Sequence, residues 1–136
     1  MTYKIFNYLI YFLSLIAFIF SLYLTKLSYS TSSSCSIFNG CDLVLKSKYS
    51  RIFDLPLSIF GMIYTLLIIF LFSLRKRKIL LLISFSGTLV ALILLGIQFF
   101  ILKSICFYCT VTDTIFIIIF LLLLFCYKFE KGKLKF

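Results

Sequence analysis

The stretch Cys106-Phe-Tyr-Cys109, followed at once by the apolar run TVTDTIFIIIFLLLLFCY at 110–127, decides how this chain folds. The run approaches the ~20 residues a helix needs to cross a bilayer. Inside lipid every backbone N–H and C=O must be satisfied within the segment, so a helix is the expected form. The two cysteines therefore stand at the mouth of a membrane helix. Positions i and i+3 share a helix face, so their sulfurs can bond to one another. The helix N-terminus favours negative charge, which makes a thiolate there a ready nucleophile and leaving group.

Three more apolar runs precede this one, at about 5–24, 55–74 and 79–102. The whole chain of 136 residues is 63% hydrophobic and only 13% charged. A soluble core of this size cannot hide that much apolar surface, so lipid has to serve as solvent for part of it. The sequence predicts an all-α membrane protein, a four-transmembrane-helix bundle forming a single membrane domain over 1–136. The first run is too long for the apolar core of a signal peptide, and no small-residue cleavage site follows it cleanly. It reads as a retained helix.

The formal charge is +10. The basic residues sit at the ends of apolar runs, where membrane topology needs them, so no nucleic-acid partner is expected. With four spans, Lys4, the run Arg75-Lys76-Arg77-Lys78, and Lys128, Lys131, Lys133 and Lys135 share one side. Lys26, Lys46, Lys48, Arg51 and Lys103 share the other. The positive-inside rule then puts both termini in the cytoplasm. The outer loops are 25–54 and 103–109. The outer side is then the periplasm, the cell exterior or an organelle lumen.

The 25–54 loop carries a polar Ser/Thr stretch at 30–34 and an Asn39-Gly40 turn signal. From 42 to 53, Leu43, Val44, Ile52 and Phe53 mix with Lys and Ser, as in a short amphipathic helix lying on the membrane surface. Pro56, the only proline, fits the first turn of the second span.

Five cysteines are present, and His is absent. Without His, Ser–His and Cys–His hydrolysis is excluded, as is any zinc site that needs imidazole. Cys35 and Cys41 (C-x5-C) fall in the large outer loop, and Cys106 and Cys109 (C-x-x-C) in the small one. All four map to the same oxidising side, where disulfide chemistry belongs. Two pairs there can act as a relay by thiol–disulfide exchange. Cys41, ahead of the amphipathic segment, is better placed to approach Cys106; Cys35, beside the Ser-rich stretch, is better placed to meet a partner. Static structural disulfides are the main alternative, and a four-cysteine zinc site is disfavoured by the oxidising compartment. No metal is expected. Cys126 lies about 25 Å along the helix from Cys109, too far to take part, and reads as a small buried hydrophobe.

Cys41-Asp-Leu-Val-Leu-Lys-Ser47, then Pro56-Leu-Ser-Ile-Phe-Gly61-Met-Ile-Tyr64, then Cys106-Phe-Tyr-Cys109, resembles the vitamin K epoxide reductase family. The C-x5-C spacing is similar to that of its bacterial members. The resemblance implies a four-helix bundle around a quinone (ubiquinone or menaquinone), with the loop helix as a lid. It implies that Cys109 reacts with the quinone, that Cys106 exchanges with Cys41, and that Cys35 takes electrons from a thioredoxin-like partner. It implies that Ser47 helps hold the loop near the site. Many bacterial members carry a fused thioredoxin-like domain; this chain ends at Phe136 without one, so the partner is expected to act in trans and the protein to support disulfide bond formation.

Some positions depart from the family. Asp54 stands where bacterial members often have Gly. Leu57 and Asp113 stand where the vertebrate enzyme has Asn and Tyr against its quinone, so those hydrogen bonds do not carry over. Asp113 is the one acidic residue at or inside a span, and a carboxyl there points to a role. It lies at i+4 from Cys109, on the same face. A proton relay to the reduced quinone is one reading, and an interfacial carboxyl reaching water is the other. Phe60 and Tyr64 are candidate quinone contacts, and Gly61 a close-packing site. Two other functions compete: the other quinone-linked four-helix thiol oxidase, which usually places its C-x-x-C after the first helix, and a structural membrane protein whose cysteines only staple loops.

Overall fold

A computed structural model describes residues 2–29, 47–48 and 51–133. Four helices dominate: α1 (Thr2–Tyr29), α2 (Leu57–Ser73), α3 (Arg77–Gly96) and α4 (Phe107–Lys133). α3 runs on through a π-helical segment, Ile97–Leu102. A two-residue hairpin, β1 (Arg51–Ile52) and β2 (Leu55–Pro56), precedes α2.

Among the described residues, three segments are long and apolar enough to cross a membrane: Lys4–Tyr29, Arg77–Leu102 and Phe107–Gly132. The expected second span at 55–74 is a helix of 17 residues, about 26 Å long against a hydrocarbon core of about 30 Å. The other helices run past the expected limits, because the helix continues through the polar ends of each apolar run.

The expected amphipathic helix at 42–53 lies mostly outside the described residues. Its last residues depart from the expectation: Arg51 and Ile52 form a strand, paired antiparallel as Arg51↔Pro56 and Ile52↔Leu55. The turn between them, Phe53-Asp54, has φ of 53° and 64°. Two consecutive left-handed residues match the twist of a tight hairpin, so the chain reverses instead of continuing as a helix. Pro56, with φ −65° and ψ 137°, is the cap residue just before α2, where its missing N–H costs nothing.

The bundle closes as a ring: α1 packs on α2 and α4, and α3 packs on α4 and α2. Its burial pattern is inverted relative to a soluble bundle. On α1 the buried face is Ile10, Ser14, Ala17, Ser21 and Leu24, at alternating steps of four and three. The outward face carries Tyr8, Phe12, Leu15, Ile19 and Leu22. Without a hydrophobic drive between helices in lipid, small residues that let backbones approach hold the seams. Gly61 illustrates this: a Cβ there would stand 3.1 Å from Ser21 Oγ. One turn up the same seam, Thr25 donates to the Ser21 carbonyl at 2.8 Å and is hydrogen-bonded to Ser58 Oγ at 2.9 Å.

The two ends of the ring differ. At one end lie Leu24, Thr25, Ser58, the hairpin and the C-x-x-C motif. At the other lies the tight turn from α2 to α3, with Arg75 at φ 57°, and the ion pair Arg77 Nε–Glu130 Oε2 at 3.1 Å. The pair ties the start of α3 to the end of α4. Cys126 is buried near that second end, in the core cluster, away from Cys106 and Cys109.

Candidate active site

The C-x-x-C motif occupies the N-terminus of α4. The Cys106 carbonyl accepts the Thr110 N–H at 2.9 Å, the first bond of the helix, so Cys106 is its cap residue. Cys106 is fully buried, with Leu24, Leu102, Tyr108 and Cys109 around it. Tyr108 in turn packs against Tyr23 and Phe20 of α1, with ring centroids 5.1 and 6.0 Å away. These contacts fix the roll of α4 and therefore which way each cysteine lies.

Cys109, half-buried, forms part of the wall of a cavity of about 500 Å3 within the bundle. Its lining is overwhelmingly apolar. Phe60 and Tyr64 of α2, Asp113 of α4 and Ser47 of the loop share that wall. Leu57 lines it too. Cys106 is not part of the lining. The two cysteines therefore differ in surroundings: one borders the cavity, and the other is buried outside its lining. Cys35 and Cys41 lie outside the described residues.

Asp113 is 6% exposed, so it is no surface carboxyl reaching water. Its Oδ2 has no hydrogen-bond partner among the described residues. A carboxyl oxygen left bare in an apolar wall is costly.

Tyr64 is held from two sides. Its ring meets Phe116 edge-on at 4.9 Å. Its hydroxyl donates toward the Ile83 carbonyl at 3.4 Å, with the Ser84 carbonyl at 3.5 Å. That reach to the backbone of α3 is possible because residue 87 is Gly: a Cβ there would collide with the Tyr64 hydroxyl and Cζ. Gly87 is thus a notch that seats Tyr64 in the cavity wall.

Two site residues escaped the sequence reading. Gly87 carried no signal beyond being a glycine in an apolar helix. Gln98 carried one: it is the only carboxamide or charged residue in the run 79–102. It is 4% exposed, lines the cavity, and accepts the Cys106 N–H on Oε1 at 3.4 Å.

Membrane-length helices around an apolar cavity, with one member of a C-x-x-C pair in the cavity wall, define a multi-pass membrane protein of the oxidoreductase kind. The family model described as Vitamin K epoxide reductase family matches residues 8–124 of the 136. The chain belongs to that family. No curated protein matches the chain.

Proposed function

We propose that this protein is a thiol–disulfide oxidoreductase that passes electrons from a thioredoxin-like partner to a membrane quinone and so supports disulfide bond formation. One observation carries the reading: Cys109 borders an apolar cavity open to Phe60, Tyr64 and Asp113, while Cys106 is sealed away from it. That asymmetry suits a pair in which one sulfur meets a lipid-soluble acceptor and the other exchanges with a protein thiol.

The cavity fits a quinone head group. It is apolar, of suitable volume, and holds an unpartnered carboxyl oxygen. A quinone seated there would supply the acceptor for the two electrons and two protons that leave when the Cys106 and Cys109 thiols close to a disulfide. Phe60 and Tyr64 would flank the ring, and Asp113 would hold or move one of the protons. Leu57 offers no hydrogen bond where the vertebrate enzymes have one, so Asp113 takes over the polar role.

On the protein side, Cys41 attacks the Cys106–Cys109 disulfide at Cys106 and forms a Cys41–Cys106 mixed disulfide while Cys109 leaves as the thiolate. Cys35 then attacks Cys41, closing Cys35–Cys41 and releasing Cys106. A dithiol of the partner reduces Cys35–Cys41 and is itself oxidised. Ser47, in the cavity wall, helps hold the loop over the site. In this reading α2 also crosses the membrane, giving four spans in a single membrane domain. Both termini are cytoplasmic, and the four cysteines face the periplasm of a bacterial inner membrane.

The test uses the full chain in lipid nanodiscs with a reduced thioredoxin-like protein and a short-chain ubiquinone or menaquinone analogue. Quinone reduction at 1:1 stoichiometry with partner oxidation is expected, and it is lost in Cys109→Ser and Cys106→Ser. In Cys35→Ser, a Cys41–Cys106 link accumulates and is read by mass spectrometry. Two invariant disulfides and no turnover would defeat the proposal in favour of a structural protein.

A further inference from the structure

Gln98 sits in the π-helical segment that ends the third apolar run. Its side-chain Oε1 accepts from the Cys106 N–H and lies 3.4 Å from the Thr110 hydroxyl, which donates to it. Its main-chain carbonyl accepts from the Lys103 N–H and, at 3.3 Å, from the Ser104 N–H. One residue therefore anchors both ends of the link at 103–106, which turns through Lys103 at φ 47°.

This is an unusual way to start a helix. The first N–H groups of a helix have no partner within it, and the preceding residue's own side chain commonly supplies one. Here the cap residue is Cys106, whose sulfur is required for chemistry. Gln98, eight residues upstream on another helix, accepts the N–H of the cap residue itself. Gln98 continues the buried face of α3, seven residues after Ala91; the turn that follows it is π-helical, and such segments often mark functional sites. A buried carboxamide in a membrane segment needs its partners, and these partners are all in or next to the C-x-x-C turn.

We infer that Gln98 is a positioning residue for the Cys106–Cys109 pair: its carboxamide oxygen pins the Cys106 main chain and the Thr110 side chain, holding the two thiols in disulfide-ready geometry. The inference rests on the thiol–quinone reading above. Pinning raises the effective concentration of one thiol at the other and so favours the closed disulfide. Loss of the pin lets the Cys106 turn relax, which makes the disulfide easier to reduce and slows its formation.

The test compares Gln98→Met, similar in length but with no strong acceptor, with Gln98→Glu, which keeps an oxygen at the same reach. Two readouts are taken in nanodiscs with the full chain. One is quinone reduction driven by dithiothreitol, resolved into kcat and KM. The other is the Cys106–Cys109 dithiol–disulfide equilibrium in dithiothreitol redox buffers, read by thiol alkylation. For Gln98→Met, kcat falls about tenfold, and the quinone KM shifts as well because Gln98 also lines the cavity. The disulfide becomes about tenfold easier to reduce, equivalent to a potential about 30 mV higher. Gln98→Glu recovers most of both effects. Thr110→Val, which removes one of the two donors, shifts the equilibrium the same way by a smaller factor and serves if Gln98→Met does not fold. The inference is overturned if folded Gln98→Met matches the wild type in kcat and equilibrium, or if Gln98→Glu is as impaired as Gln98→Met. With Thr110→Val as the stand-in, an unshifted equilibrium overturns it. A wild type that reduces no quinone defeats the underlying reading instead, and the equilibrium measurement still judges Gln98.

Discussion

Gly87→Ala isolates the fit between α2 and α3 at the cavity wall. The added methyl would overlap the Tyr64 hydroxyl and Cζ and stand 2.7 Å from Cε2. The obstacle is the body of a rigid ring rather than a flexible tip, so the ring must move as a unit. Moving it breaks the hydrogen bond to the Ile83 carbonyl at 3.4 Å and the edge contact with Phe116 at 4.9 Å. Overpacking of this kind costs about 1–3 kcal/mol, and loss of the hydroxyl's partner adds about 1 kcal/mol. Replacing Gly within a helix returns up to about 1 kcal/mol. The net expectation is destabilisation by roughly 1–3 kcal/mol. Gly96→Ala is the internal control: nothing lies within 4 Å of a Cβ there, so the same chemical change is neutral or mildly stabilising. SDS-driven unfolding in mixed micelles measures both. A Tyr64→Leu background should remove most of the Gly87→Ala cost, because the two changes share one contact. Equal stability of Gly87→Ala and Gly96→Ala, or a cost untouched by Tyr64→Leu, would refute the packing argument. In the same preparations the quinone KM should rise for Gly87→Ala, since the displaced ring belongs to the cavity wall.

Asp113→Asn keeps the shape of the cavity wall but cannot exchange a proton, and quinone reduction should fall about 100-fold; full turnover across the working pH range would remove Asp113 from the mechanism. Gly61→Ala places a methyl 3.1 Å from Ser21 Oγ and should cost about 1 kcal/mol in the same unfolding assay, with relief in a Ser21→Ala background. Cys126→Ala, in the core at the far end, should leave quinone turnover and the alkylation pattern of the other cysteines unchanged while costing about 1 kcal/mol of stability. Arg77→Ala breaks a half-exposed ion pair with Glu130 and should cost no more than about 1 kcal/mol, read by the same titration.

The helices were legible because lipid imposes a crude rule: long uncharged runs become helices. The helix at 107–133 follows from that rule, as does the motif at its start. Phe60, Tyr64, Cys109 and Asp113 were expected around one ligand on a resemblance and on i+4 spacing, and the structure brings them to one cavity. The hairpin was not legible, because Phe53-Asp54 has none of the Asn-Gly or Asp-Gly chemistry that usually marks a two-residue turn. Nor was the shortness of α2, since hydropathy does not show that 55–56 pair with 51–52 before the helix begins. Gln98 was passed over because its meaning lies in a partner eight residues away across a non-α turn, which no helical periodicity predicts.

The buried polar groups themselves separate packing from chemistry. Thr65, Thr88 and Thr112 donate to carbonyls of the preceding turn, at Met62, Ser84 and Tyr108. Such back-bonds satisfy a hydroxyl within its own helix and need no further explanation. Asn7, Ser14 and Ser84 each hold an atom with no partner among the described residues, yet none of them lines the cavity. Ser28 and Asp113 hold such atoms and do line it. Of these two, the carboxyl is far more expensive to leave bare than the hydroxyl. Its place beside Cys109, as the one carboxyl in a wall whose other polar groups are hydroxyls and an amide, is what packing alone does not explain. The cavity also reaches Val90 and Phe60, both of which are exposed on the outside of the bundle. A ligand that suits this cavity has an apolar body and a polar atom for the carboxyl, a combination that the proposed quinone would supply.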